Sequence, residues 1–96
     1  MQMCGGYTPQ PKPATPEVQK LVDNMVGHVN TQLGTSYTSL KAHHFKSQVV
    51  AGTNFMIKAS SGDDYVHIKV FRPLPHTGQP ASLTHAEGGK TMACPL

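Results

Sequence analysis

The spacing of the apolar residues changes once along this chain, at Gly34, and this change restricts the fold more than any other feature of the sequence. Before it, apolar residues recur at intervals of three and four, which predicts one amphipathic helix over residues 15–34. Residues 15–17 combine an N-cap threonine, a proline for the first helical position and an acid for the first turn. Inside the predicted helix, Gly27 would let a strand pack closely across the helix, because glycine has no side chain. The apolar stripe comprises Val18, Leu21, Val22, Met25, Val26, Val29 and Leu33.

After Gly34, apolar residues alternate with polar ones, which is the period of a strand with one buried face. A helix followed by consecutive hairpins predicts an α+β fold, with an antiparallel meander of four to five strands covering the helix in a single domain, residues 1–96. Residues 1–14 contain alternating prolines and are expected to form a flexible N-terminal trunk, and residues 88–96 a loose tail. The meander is predicted over residues 40–87, with strands at 40–50, 54–59, 65–70 and, more weakly, 80–87, a turn at 61–64 and a loop at 72–78.

Charge and cysteine content exclude several classes of function. The net charge is +3 and the eight Lys and Arg residues occur singly, so we expect no nucleic-acid partner and no membrane surface. No stretch approaches a membrane span, and the start lacks a charged segment followed by an apolar one, which favours a cytoplasmic location. Cys4 and Cys94 lie at opposite ends and are expected to be free thiols, an end-to-end bridge being the alternative. No cofactor is expected.

Residues 48–52 are an uncharged run between two predicted strands. Exposed hairpin tips are normally polar, so a tip of valine and alanine indicates a surface that becomes buried in a partner. For the run alone, a strand that continues past a bulge at Gly52 is the alternative interpretation. In an antiparallel meander this turn and the loop at 74–76 lie at the same end of the sheet, within reach of the N-terminal arm. The candidate binding residues are Cys4, Gly5 and Gly6 in the arm, Gln48, Val49, Val50, Ala51 and Gly52 in the tip, and Leu74, Pro75 and His76 in the loop.

These segments, in this order, resemble the stefins, the single-domain, disulfide-free branch of the cystatins, which inhibit papain-like cysteine proteases. Residues 48–55 resemble the family's first binding hairpin, residues 70–76 its second, and residues 12–17 the lead-in to its helix. Cys4-Gly5 resembles the N-terminal trunk with its pivot glycine. The similarity extends from about residue 3 to residue 80, after which the sequence departs from the family and lacks the aromatic residue expected in the last strand.

The resemblance implies the cystatin fold and a reversible, competitive, tight-binding inhibitor that obstructs the protease cleft. Residues 49–51 and 74–75 would fill the primed side of the cleft, and the residues up to Gly5 would lie along the non-primed side. Glycine at positions 5 and 52 would let main chain pass close to the cleft walls. The implied partners are papain and cathepsins of the B, H, L and S class. The implied state is a monomer, with a domain-swapped dimer as a second form.

Other functions fit the residues less well. Residues 74–78 match the LPxTG pattern that sortases cut, but the apolar span and basic tail that must follow are missing. No metal site is expected, because the histidines are scattered and the adjacent His43 and His44 should face opposite sides of a strand. Cys4 is the one candidate nucleophile for an enzyme and lacks an oriented base. The remaining alternative is a non-inhibitory cystatin-fold interaction or structural module, against which the uncharged tip argues.

Overall fold

A computed structural model describes residues 10–96, apart from the side chain of Pro75. The described residues fold as one α-helix against an antiparallel sheet with strand order β1-β2-β3-β4-β5, which confirms the α+β class and fixes the strand count at five. Within this range, no helix combines the length and the apolarity that a membrane span requires. The elements are β1 (Lys12–Pro13), α1 (Pro16–Leu33), β2 (Lys41–Val50), β3 (Gly52–Ser61), β4 (Asp64–Arg72), a 3-10 turn (Pro75–Thr77) and β5 (Ser82–Lys90).

Helix α1 begins and ends within one residue of the predicted bounds because its caps are encoded locally. The Thr15 Oγ1 accepts a hydrogen bond from the Val18 N–H at 3.2 Å. Gly34 ends the helix in a left-handed conformation, with φ of 67°. Most of the predicted stripe is buried, whereas Val26 and Leu33 are half-buried at its margin.

Alternation along the strands gives the sheet two distinct faces. We call the side that packs on the helix the core face; it carries Phe55, Ile57 and Ala59 of β3 and Val66, Ile68 and Val70 of β4. The opposite side, which we call the outer face, carries the intervening residues of the same strands. Burial of the core-face residues against α1 supplies the hydrophobic stabilisation of this small domain.

Gly27 does not allow close approach of a strand, so this prediction was wrong. It lies on the exposed side of α1, and a Cβ added there would have nothing within 4 Å. Gly27→Ala should therefore stabilise the protein by about 1 kcal/mol, because glycine in a helix interior loses more conformational entropy than alanine. Urea denaturation of the two proteins measures this difference; a loss of stability would show a contact at this position.

Residues 12–13 and 88–90, which were predicted to lie in the trunk and in the tail, are paired in the sheet. β5 extends to Lys90, which pairs with Tyr65, so residues 88–90 belong to the sheet and not to the tail. β1 pairs with β2, with Lys12 opposite Phe45, so residues 12–13 are not part of a free trunk. Pairing with a neighbouring strand is a tertiary contact, and it overrides the weak local preference of glycine and proline for loops.

The tail after β5 covers part of the outer face. Lys58 lies in the middle of β3 with only 7% of its surface exposed, and its Nζ donates a hydrogen bond to the carbonyl oxygen of Met92. The Nζ of Lys46 donates to the backbone oxygen of Leu96 at 3.2 Å. Two lysines of the sheet thus hold the tail, where the sequence predicted a loose segment.

His67 lies beside Lys58 on this face, and its Nε2 is buried without a hydrogen-bond partner among the described residues. Burial lowers the pKa of His67, the positive charges of Lys58 and Lys90 lower it further, and Glu87 opposes them. Burial and neighbouring cations also lower the pKa of His43. His43 and His67 therefore bind protons less readily in the folded protein than in the unfolded chain.

Stability should consequently fall as the pH drops through the ordinary histidine pKa of about 6.5, because the unfolded state then binds more protons than the folded state. We expect a smaller free energy of unfolding in urea at about pH 5 than at about pH 7.5. His67→Gln should reduce this difference, and His28→Gln, on the exposed surface of α1, should preserve it. A wild-type stability that rises on acidification over this range would contradict the assignment.

Candidate functional site at the apolar edge of the sheet

The tip between β2 and β3 and the loop between β4 and β5 lie at the same end of the sheet, as predicted. Val50 pairs with Gly52, so the chain reverses at Ala51 and residues 48–52 form a hairpin tip, not a continuing strand. Thr53 pairs with Arg72, so the loop after β4 starts beside the tip. The two turns are thereby placed next to each other by strand pairing alone.

Exposed apolar side chains are concentrated at this end. Among the described residues, four large apolar side chains are exposed: Val49 (70%), Val50 (44%) and Leu74 (39%) at this end, and Met92 (42%) in the tail. We refer to Val49, Val50, Ala51 and Leu74 as the apolar edge. Residues 48–52 and 73–78 contain no Lys, Arg, Asp or Glu. An uncharged, exposed apolar surface of this kind is typical of a binding site for another macromolecule.

The loop after β4 is held by its own hydrogen bonds. The carbonyl oxygen of Leu74 accepts from the Thr77 N–H at 3.1 Å and from the Thr77 Oγ1 at 2.8 Å. His76 is exposed in this turn, while the side chain of Pro75 lies outside the description. The main chain that carries Leu74 is therefore already folded into a short turn before any partner binds.

Gly52 is buried, and the fold itself requires a glycine there. Its φ of 122° is rarely adopted by other residues, and a Cβ built on it would lie 2.7 Å from the carbonyl oxygen of Arg72 and 2.7 Å from Cζ of Phe71. The sequence suggested that this glycine lets main chain approach a partner. In the structure, its missing side chain allows the tip to pack closely on the end of β4.

Arg72 holds the end of β4 from the core face. Its guanidinium forms an ion pair with Glu17 in the first turn of α1 and lies 5.1 Å from the centroid of the Phe55 ring. The sequence placed Arg72 in a loop, and neither Arg72 nor Glu17 was singled out as part of the site. Their pairing joins residues that are 55 positions apart, so no local pattern could have revealed it.

The predicted trunk residues Cys4, Gly5 and Gly6 lie outside the described residues. The direction of the described segment is nevertheless informative. β1 is antiparallel to β2, with Lys12 opposite Phe45 and Pro13 opposite His44. The chain therefore enters β1 from the end of the sheet that carries the apolar edge.

The prediction that His43 and His44 face opposite sides was wrong. The register of β2 shifts between Ala42 and His44, which is a β-bulge, and both histidines lie on the outer face. The Nε2 of His43 lies 2.6 Å from the Oγ of Ser60, and His44 is opposite Lys58. Even so, the described residues contain no group of three or more metal-binding side chains.

Cys94 carries a free thiol in the tail, away from the apolar edge. Its Sγ lies 3.4 Å from both the Oγ1 and the backbone nitrogen of Thr91, and these contacts lower its pKa. Cys4, its proposed counterpart, lies outside the described residues. The structure thus describes the state of one of the two thiols.

A helix on a five-stranded antiparallel meander, with apolar turns at one end, is the architecture of the cystatins. The model of the Cystatin domain matches residues 5–92, so the chain belongs to the cystatin family. Curated relatives then place it among the type 1 cystatins, or stefins. Cystatin-A of Homo sapiens is 42% identical over 83 residues, covering 85% of each chain. Cystatin-B of Bos taurus is 42% identical over 89 residues, covering 92% of this chain and 90% of that protein.

Two further comparisons agree. Leukocyte cysteine proteinase inhibitor 1 of Sus scrofa is 40% identical over 90 residues, covering 93% of this chain and 86% of the relative. Among solved structures, the secreted type 1 cystatin from Fasciola hepatica matches with a TM-score of 0.68 and 29% identity, covering 88% of this chain and 95% of that chain. The family model matches as far as residue 92, so the similarity does not end near residue 80 as the sequence predicted.

Proposed function

We propose that this chain is a reversible, competitive, tight-binding inhibitor of papain-like cysteine proteases. The apolar edge carries the proposal, because Val49, Val50 and Leu74 are exposed together beside an uncharged main chain. A relative that covers most of the chain is named a cysteine proteinase inhibitor, which supports the same function. The protein acts by obstruction and not as an enzyme, since its relatives are named as inhibitors and cystatins.

The apolar edge suits an open cleft with a thiolate–imidazolium pair at its floor. Val49, Val50 and Ala51 enter the primed side of the cleft, with Leu74, Pro75 and His76 beside them. These side chains contribute binding energy by leaving water, and no bond to the catalytic cysteine is formed. Because the tip and loop are folded before docking, association orders few groups in these two segments, which favours tight binding.

The N-terminal trunk supplies the third contact. Cys4, Gly5 and Gly6 lie along the non-primed side, with Gly5 as the pivot. The direction of β1, which the chain enters from the end bearing the apolar edge, supports this arrangement. The partners are papain and the cathepsins of the B, H, L and S class.

The inhibitory form is a cytoplasmic monomer. The free thiol of Cys94 is the state that the reducing cytosol maintains. In a domain-swapped dimer, β2 and β3 would run straight through the tip, and Val49 and Val50 would no longer project from it. Size-exclusion chromatography separates the two forms, and only the monomer fraction should inhibit.

Titration of papain with the freshly isolated monomer tests the function. Residual activity on a fluorogenic peptide should fall to zero near one inhibitor per enzyme. Activity should return on dilution, and raising the substrate concentration should weaken the inhibition. A control protease that uses a serine nucleophile should keep its activity. A monomer that leaves papain active would instead identify a non-inhibitory interaction module.

A further inference from the structure

The ring of Phe71 occupies the space that a side chain at position 52 would fill. A Cβ built on Gly52 would lie 2.7 Å from Cζ and 2.9 Å from Cε1 of this ring. Phe71 is half-buried near the end of β4, on the outer face, and its ring lies against Gly52 in the tip. An aromatic ring against a glycine is a close side-chain-to-backbone contact, and it restricts how far the tip can move toward the outer face.

Phe71 also belongs to a row of paired residues that crosses four strands, with Ser82 of β5 on one side of it. Phe71 is opposite Asn54 of β3, and Asn54 is opposite Gln48 of β2. The Nδ2 of Asn54 donates a hydrogen bond to the Oε1 of Gln48 at 3.0 Å. Gln48 directly precedes Val49, and two further pairs, Val49 with Thr53 and Val50 with Gly52, lie between this row and Ala51. Movement of Phe71 would therefore be transmitted to Val49 and Val50.

The hairpin at the other end of the sheet lacks such a support. Gly62, in the turn between β3 and β4, also has a positive φ, of 61°, but nothing lies within 4 Å of a Cβ built on it. Close packing of a strand residue on the turn is therefore a feature of the end that carries the apolar edge. It is not a general property of the turns in this sheet.

From this contact we infer that Phe71 is a positioning residue for the apolar edge. It fixes the tip of β2–β3 against the end of β4, three residues before Leu74, and so sets the distance between the two turns. Phe71 contacts the tip and not the protease. It restricts the conformations of the free tip, so less conformational entropy is lost when the tip docks into the protease. This role rests on the proposed inhibition of papain-like proteases.

Phe71→Leu tests the inference, with Tyr65→Leu as the matched control. Tyr65 lies on the same face of the same strand at the opposite end, where its ring centroid is 5.7 Å from that of His43. We expect Phe71→Leu to lower the NMR order parameters of the amides of residues 49–52 and to weaken papain inhibition about tenfold, mainly through faster dissociation. Tyr65→Leu should change neither, although it removes an aromatic ring as well.

Unchanged order parameters and dissociation rate in a folded Phe71→Leu protein would overturn the role of Phe71. Equal effects of the two variants would overturn it as well, since they would reflect general destabilisation. Should Phe71→Leu fail to fold, Phe71→Met allows the same two measurements with an unbranched side chain. A wild-type protein without inhibitory activity would instead overturn the proposed function, whatever the order parameters of the tip.

Discussion

Replacing Val49 with glutamate should weaken the inhibition of papain by about a hundredfold or more while the domain stays folded. Val49 is the most exposed large apolar residue in the described part of the chain, so a glutamate there remains solvated in the free protein. In the complex the carboxylate would be buried in an apolar cleft without a partner. Leaving a charge unpaired in an interface costs about 3 kcal/mol or more, which corresponds to this loss of affinity.

Met92→Glu is the matched control for this prediction. Met92 is also exposed and apolar, but it lies in the tail on the outer face, away from the apolar edge. The same change of charge there should leave inhibition within about twofold of wild type. Inhibition constants measure the affinity of both variants for papain, and circular dichroism spectra show whether both remain folded. If Val49→Glu inhibits papain as well as wild type does, the tip is not part of the interface.

Gly52→Ala should destabilise the domain by about 3 kcal/mol, a large part of the stability expected for a chain of this size. The added methyl group would meet the backbone carbonyl of Arg72 and the ring of Phe71, and alanine disfavours a φ of 122°. Both the carbonyl and the ring belong to β4, so relief of the contact requires the tip to move away from its neighbour. The variant should therefore lose inhibition as well as stability.

Gly62→Ala separates conformational strain from the contact. It requires alanine at a φ of 61° in an open turn, where the cost should be about 1 kcal/mol and inhibition should not change. Urea denaturation gives the free energies of unfolding, and titration of papain gives the affinities. Equal losses of stability at the two glycines would show that the contact with Phe71 and Arg72 contributes nothing. A large difference would confirm that Gly52 is required by packing.

Much of the fold could be predicted because the signals are local. The threonine cap, the apolar stripe and the terminal glycine each act within a turn or two of α1, and the bounds agree with the structure within one residue. The alternation of β3 and β4 likewise follows from residues within each strand. The exposure of Val49 and Val50 could be predicted as well, because the apolar run lies between two predicted strands, where the chain turns.

Apart from Gly27, where the predicted contact is absent, the errors arise from contacts between residues that are distant in the sequence. The bulge that turns His43 and His44 to one face depends on the pairing of β2 with β3, and β5 reaches Lys90 only because β4 lies beside it. Lys58, in the middle of β3, is buried because the tail covers it. Each of these contacts joins residues that are far more than one helical turn apart in the sequence: His43 with Ser60, Tyr65 with Lys90, and Lys58 with Met92.

The sequence by itself determined the class of the fold, the helix and its caps, and the uncharged run that forms the tip, because periodicity and side-chain chemistry are properties of short segments. Tertiary structure alone decided why position 52 must be glycine, since the ring of Phe71 and the carbonyl of Arg72 come from another strand. Tertiary structure also brings Arg72, at the end of β4, to Glu17 in the first turn of α1, where the two side chains form an ion pair. Close packing depends on which atoms meet in space, and that information exists only once the strands are paired.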